Sequence, residues 1–277
     1  MFTLHNGDCL QVMPTIPSGS IDAIITDLPY GTTACKWDTI IPFEPMWKEV
    51  KRVLKPNGAF ITTASQPFTS ALIMSNPSWF KEEIIWDKKI PSGMSYARFM
   101  HMRQHENISV FCEGRMTYNA QVSQRDKPIK KGGNKFSETA PIANCKTGAK
   151  YEKTYTTKQP TTIICFDKVR RVSIHPTQKP VALYEYLIKT YTNEGETVLD
   201  IAMGSGTTIE AAERTGRNSI GIEKDEGIFQ SAVLRLKSFT PSNNRLHMDG
   251  ATAPMTSGDL PADVLAGKGT LPEPPRQ

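Results

Sequence analysis

Six short apolar runs alternate with amphipathic stretches along this chain, and that alternation constrains the fold more than any single residue. The runs are Ile21 to Ile25, Ala59 to Thr63, Glu83 to Trp86, Ile108 to Phe111, Val198 to Asp200 and Ser219 to Ile222. Each is too short for a helix, so each reads as a buried strand. Helical patterns fall between them at Pro45 to Lys55, Phe68 to Ser75, Val181 to Tyr191, Ile209 to Thr215 and Glu226 to Phe239. Buried strands separated by helices predict an α/β fold, a mostly parallel sheet with helices on both faces. Ligands of such sheets collect at the carboxyl ends of the strands.

Two strand ends carry chemistry. Asp27-Leu28-Pro29-Tyr30 closes the first run. A nucleobase amine is a poor nucleophile because its lone pair is delocalised into the ring. Two acceptors aimed at its two N–H groups, the Asp27 carboxylate and the Pro29 carbonyl, would free that lone pair. Proline fixes its own φ and presses Leu28 toward extended backbone, which holds the Pro29 carbonyl in place. Tyr30 adds an aromatic plate for stacking. The plain alternative is an Asp-Xaa-Pro turn ending a strand.

The second end is Val198-Leu199-Asp200, which runs into Met203-Gly204-Ser205-Gly206-Thr207-Thr208 and then a helical stretch. Gly204 and Gly206 permit a tight turn and close approach of backbone to ligand. Glu223 ends the next strand at the spacing of an acid that bonds ribose hydroxyls, so the Rossmann-like pattern predicts a nucleoside-containing cofactor. Thr207, Thr208 and Ile209 occupy the place of a third glycine, which argues against a pyrophosphate. Alone, a Gly-Xaa-Gly turn is an ordinary helix cap.

Charge is lopsided. Between Arg115 and Ile174 there are thirteen Lys or Arg against four acids, a local +9 that leaves −4 for the rest of a chain whose total is +5. Tyr118, Phe136, Tyr151, Tyr155 and Phe166 are interleaved with the bases. Arg125, Lys127, Lys130, Lys131, Lys135, Arg170 and Arg171 are the candidate phosphate contacts, with the run from Lys130 to Lys135 read as a flexible loop. The expected partner is double-stranded DNA. A solvated basic insertion is the plain alternative.

The two motifs together resemble the beta class of DNA amino-methyltransferases. Asp27 to Tyr30 is similar to their catalytic Asp-Pro-Pro-Tyr motif, and Asp200 to Thr208 to their S-adenosylmethionine loop, in that order along the chain. Asn6 to Cys9, the stretch centred on Arg52 to Gly58, Ile85 to Lys88, His105 to Asn107 and His175 to Pro180 also resemble family blocks. The resemblance implies S-adenosylmethionine as cofactor. Asp8 and Cys9 would border its adenine, Glu223 its ribose, Thr177 and Lys179 its amino-acid end, and the loop with Asp200, Gly204, Ser205, Gly206, Thr207 and Thr208 its methionine. It implies a methyltransferase sheet with an inserted basic target-recognition region, and a flipped adenine as substrate, since cytosine-modifying members usually carry Ser where this chain has Asp27. The alternatives are cytosine modification and a catalytically inactive DNA-binding relative, the latter because Leu28 replaces the first proline and Ala202 a common aromatic residue. Beta-class enzymes often pair, so a homodimer is expected, and a cognate restriction endonuclease is a partner the resemblance allows.

Other features set bounds. Five cysteines with no Cys-Xaa-Xaa-Cys pair predict reduced thiols and no metal site. The chain opens without a basic-then-apolar leader and has no bilayer-length apolar run, so a cytoplasmic protein and no membrane are expected. The loop Gly31 to Pro42, which contains Trp37, is a candidate lid. The expected organisation is a catalytic half over 1–114, a target-recognition region over 115–174, a cofactor-binding half over 175–239 and a Pro- and Gly-rich flexible tail over 240–277.

Overall fold

The computed structural model describes residues 1–32, 38–132, 152–168, 178–239 and 247–248. In chain order the elements are β1 (Phe2–Asn6), α1 (Cys9–Val12), β2 (Ile21–Asp27), α2 (Phe43–Val53), β3 (Leu54–Ala64), α3 (Phe68–Ser75), β4 (Phe80–Ser92) and β5 (Arg103–Phe111). They continue with β6 (Ser123–Gly132), β7 (Glu152–Lys158), β8 (Ile163–Cys165), α4 (Val181–Tyr191), β9 (Thr197–Asp200), α5 (Thr207–Arg214), β10 (Asn218–Glu223), α6 (Glu226–Phe239) and β11 (His247–Met248). The main sheet runs β11-β1-β10-β9-β2-β3-β5-β4-β8. Its pairings are parallel except where β5 runs against both β3 and β4. The fold is α/β with a largely parallel sheet, as the alternation of runs and helices predicts.

Strand parity divides the core. Ile24 and Phe60 point to one face, where Met46, Trp47, Val50 and Val53 of α2 and Phe68 and Leu72 of α3 cover them. Ala23, Ile25 and Ile61 point to the other, under Leu183, Tyr184, Leu187 and Ile188 of α4 and Ala211 and Ala212 of α5. Near-continuous apolar strands follow directly from this double coverage. Each fully buried large side chain contributes roughly 1.5–3 kcal/mol, so neither face can be left uncovered.

Several boundaries differ from the sequence reading, each for a local reason. The helix expected to reach Lys55 ends at Val53. Pro56 disfavours helical backbone at Lys55, and Leu54 already pairs with Ile21 of β2. Helix α5 begins two residues early, at Thr207, because Gly206 takes φ +76° and turns the chain into it. Lys130 and Lys131 belong to β6 rather than to a flexible loop, since β6 and β7 pair antiparallel through Lys130↔Thr154 and Lys131↔Lys153. Ile163–Cys165 extends the main sheet as the strand beside β4. Within the expected tail, His247–Met248 pairs with Thr3 and Leu4 of β1. The rest of that tail and Trp37 lie outside the described residues.

Candidate active site

Strands β2 and β9 are neighbours, with Ala23 opposite Val198 and Ile24 opposite Leu199. That register brings Asp27 and Asp200 to one sheet edge although most of the chain separates them. Thr26 Oγ1 donates to Asp200 Oδ1 at 2.7 Å across the junction. Asp200 also accepts from the Ala202 amide at 3.1 Å and from the Thr208 hydroxyl. Burial outweighs these bonds and pushes the Asp200 carboxyl up to about 6. Asp200 is thus a strut joining β2, β9 and α5.

A cavity of about 630 Å³ opens above this junction. Asp8, Cys9, Asp27, Pro29, Tyr30, Lys179, Asp200, Gly204, Ser205, Thr207, Thr208 and Glu223 all line it, so the two sequence-distant clusters share one space. Gly206, at the amino end of α5, completes the turn beneath. Thr177 lies outside the described residues. The acids Asp8, Asp27, Asp38, Asp200, Glu223, Asp225 and Glu226 face two bases, Lys179 and Lys224. Such a lining repels phosphate and suits a cationic ligand rich in hydroxyl and amino donors.

At one end, Glu223 Oε2 accepts from the Gly204 amide at 3.0 Å and Oε1 from the Asp225 amide at 2.8 Å. A carboxylate has acceptor capacity beyond one bond per oxygen, so Glu223 can still receive hydroxyls. Burial raises its pKa. Asp8 caps α1 through the Leu10 amide at 2.9 Å and pairs with Lys224 at 2.9 Å. Cys9 is packed in the core, and burial pushes its thiol up to about 12, which removes it as a nucleophile. Ser205 is held from behind, because Arg235 of α6 donates to its carbonyl at 2.6 Å and pairs with Glu210.

At the other end, Asp27 is surrounded by donors. Tyr30 donates its hydroxyl to Asp27 Oδ1 at 2.6 Å, and Thr63 of β3 donates to the same oxygen. Lys179 lies 2.7 Å from Oδ2 and 3.2 Å from Glu106, which lies 3.2 Å from Lys88. Burial would pull the Lys179 ammonium down, but Asp27 and Glu106 hold it above its usual range. The Tyr30 ring sits 5.3 Å from that of Phe68, and the Lys179 ammonium lies over it at 5.7 Å. Leu28, where the resemblance leads one to expect proline, is buried in the core and anchors the turn by packing. The adjoining loop is pinned by Asp38, which accepts from the amides of Gly31 and Thr32 at 2.8 and 2.9 Å.

Thr63, Glu106 and Lys88 are site residues that the sequence reading gave no role. Their only signal was position, at the ends of runs and inside stretches resembling family blocks. Lys179, expected at the amino-acid end of the cofactor, lines the same cavity and is paired with Asp27. Among the expected DNA contacts, Lys127 and Lys130 are exposed on β6, and Arg125 donates to the Thr157 carbonyl at 2.9 Å, bracing the β6 and β7 pair. Lys131 also lies in β6, whereas Lys135, Arg170 and Arg171 fall outside the described residues.

A strand-edge cavity with a glycine turn, an acid on the following strand and an Asp-Xaa-Pro-Tyr turn defines the class of nucleoside-cofactor α/β transferases. Residues 21–234 match the DNA methylase family of N6 and N4 methyltransferases, and the chain belongs to that family. It is a DNA methyltransferase that uses S-adenosylmethionine. It is 27% identical to the type II methyltransferase M.HinfI of Haemophilus influenzae, over 89% of this chain and 71% of that one. Its fold is similar to that of M1.HpyAVI in complex with S-adenosylmethionine, with TM-score 0.57 and 24% identity over 85% of this chain and all of the other. It is similar also to the cytosine-N4-specific PvuII DNA methyltransferase, with TM-score 0.59 and 18% identity over 88% and 90% of the two chains. Among the described residues no helix is long and apolar enough to cross a membrane.

Proposed function

We propose that this chain methylates the exocyclic N6 amine of an adenine turned out of duplex DNA. The observation that carries the reading is the single cavity holding the Asp27 carboxylate at one end and the Glu223 and glycine-turn cluster at the other. Bound there, S-adenosylmethionine supplies an electrophilic methyl group. The residues present fit it: the acidic lining suits its positive charge, Glu223 and Asp8 face the space as hydroxyl acceptors, and the volume is that of a small-molecule site.

Asp27 and the Pro29 carbonyl accept the two amine hydrogens and draw the nitrogen toward tetrahedral geometry. Thr63, fixed in β3, holds the carboxylate at its working angle. A base stacked on Tyr30 and bonded to Asp27 takes the place that Lys179 now holds at both residues. Glu106 then retains the displaced ammonium inside the site. An acid rather than a serine at position 27 favours adenine over cytosine. The exposed bases on β6 lie in the strongly basic region and are assigned to phosphates.

Nucleoside mass spectrometry of unmethylated duplex DNA incubated with the purified chain and S-adenosylmethionine tests this. N6-methyladenine is the expected product. N4-methylcytosine would transfer the same geometry to the other base, and no product would remove the enzymatic reading.

A further inference from the structure

The connection between β4 and β5 carries the most exposed apolar cluster among the described residues. Residues 91–101 are exposed without interruption, and within them Met94 is 74%, Tyr96 61%, Phe99 83% and Met100 58% exposed. Large apolar side chains left this exposed within one short connection need a reason. The segment is not slack. Gly93 turns at φ +92°, and the Tyr96, Phe99 and Met100 amides donate to Gly93 and Tyr96 carbonyls at 2.8–3.0 Å. Ser92 pairs with Arg103 at its base. The result is a short structured protrusion with an apolar tip.

Its place matters. Strand β4 ends, and β5 begins, at the sheet edge where β2 and β3 end, because β5 runs antiparallel to both of its neighbours. Arg103 reaches Ser65, two residues beyond the Thr63 that bonds Asp27, and Glu106 in the same strand holds Lys179. The protrusion therefore flanks the mouth of the cavity. From Lys88 to His105 there are four Lys or Arg and no acid. Lys88 is turned inward to Glu106, whereas Lys89, Arg98 and Arg103 are exposed.

We propose that this protrusion is a duplex wedge: Phe99, with Met100 beside it, enters the base stack and fills the gap left by the everted adenine while Arg98 and Arg103 take flanking phosphates. The inference rests on the base-eversion reading above. Apolar side chains inserted between base steps are an established way to hold a duplex open, and unstacking is the unfavourable step they offset. The charge favours DNA over a second copy of the chain. A twofold contact through this surface would set the same basic patch against itself, which repels.

The test compares Phe99→Ala and Met100→Ala with the natural chain on two duplexes bearing the methylated site, identified beforehand by sequencing modified bases. In one the target adenine is paired. In the other it faces an abasic residue. Phe99→Ala should lose about tenfold or more in kcat/KM on the paired duplex and recover to within about twofold of the natural chain on the unpaired one, because eversion is then nearly free. Cofactor affinity should not change. Equal loss on both duplexes, or no loss on the paired one, overturns the wedge alone. A sedimentation experiment showing a natural dimer that Phe99→Ala dissociates overturns it in favour of a second copy. If the natural chain methylates neither duplex, the enzymatic reading falls and takes the wedge with it.

Discussion

The Lys179 ammonium sits 2.7 Å from the Asp27 carboxylate and 3.2 Å from that of Glu106, so Asp27 is held in a chain of alternating charges that continues to Lys88. Removing Lys179 leaves two carboxylates facing each other in a largely dry site. Lys179→Met should destabilise the protein by roughly 2 kcal/mol, below the usual figure for a fully buried pair because Asp27 is a quarter exposed. The pair raises the Lys179 pKa above its ordinary 10.5. The stabilisation is therefore complete below that value and is lost as pH climbs through the higher folded one. Urea unfolding of both proteins from pH 7 to 11 checks this; a gap that already closes near neutrality would contradict it.

Asp200 behaves in the opposite sense to a salt-bridged acid. Its folded pKa, about 6, exceeds the ordinary 3.8 because burial dominates its three hydrogen bonds. The folded state holds this proton more tightly than the unfolded one, so the contribution of Asp200 is greatest below pH 3.8 and falls as pH rises to about 6. The stability of the natural chain minus that of Asp200→Asn should decline over this window and then level. Thermal unfolding without cofactor across that range measures it, and a rising difference would refute the assignment.

Glu223 bonds the Gly204 and Asp225 amides and still faces the cavity. Glu223→Gln keeps the shape but loses the charge that strengthens hydroxyl bonds. A tenfold to hundredfold weaker binding of S-adenosylmethionine is expected, as for about 1.5–3 kcal/mol of charge-assisted hydrogen bonding. Calorimetric titration reads it directly. Unchanged affinity would place the ribose elsewhere.

Lys127 and Lys130 are exposed on β6. If they meet phosphates, Lys127→Ala with Lys130→Ala should weaken duplex binding to all sequences alike and reduce the salt slope by about 1 per lysine removed. Fluorescence anisotropy at several salt concentrations gives the slope. An unaltered slope would remove β6 from the interface.

Much of this architecture was legible in the chain. The runs at Ile21 and Val198 read as buried strands because both faces of the sheet are covered, and helices α3, α4 and α6 have the bounds their patterns predict. Strands β6, β7 and β8 were hidden. Ser123–Gly132 and Glu152–Lys158 are polar pairs held by backbone bonds, with no apolar alternation to announce them. In the site, Asp27 and Glu223 could be located because their chemistry is local to a strand end. The Lys179, Glu106 and Lys88 chain could not, since it depends on three segments meeting in space. Lys179 lines the cavity, and its pairing with Asp27 and Glu106 is a relationship that only the fold reveals.

In the proposed function, the Asp27 carboxylate prepares the amine for attack while a separate end of the same cavity holds the cofactor. The direct measurement is single-turnover methylation of duplex DNA by Asp27→Ala, paired with its affinity for S-adenosylmethionine. A rate reduced about a hundredfold or more is expected, as for loss of one preorganised group at a reacting centre, with cofactor affinity unchanged. Turnover at the natural rate would contradict it.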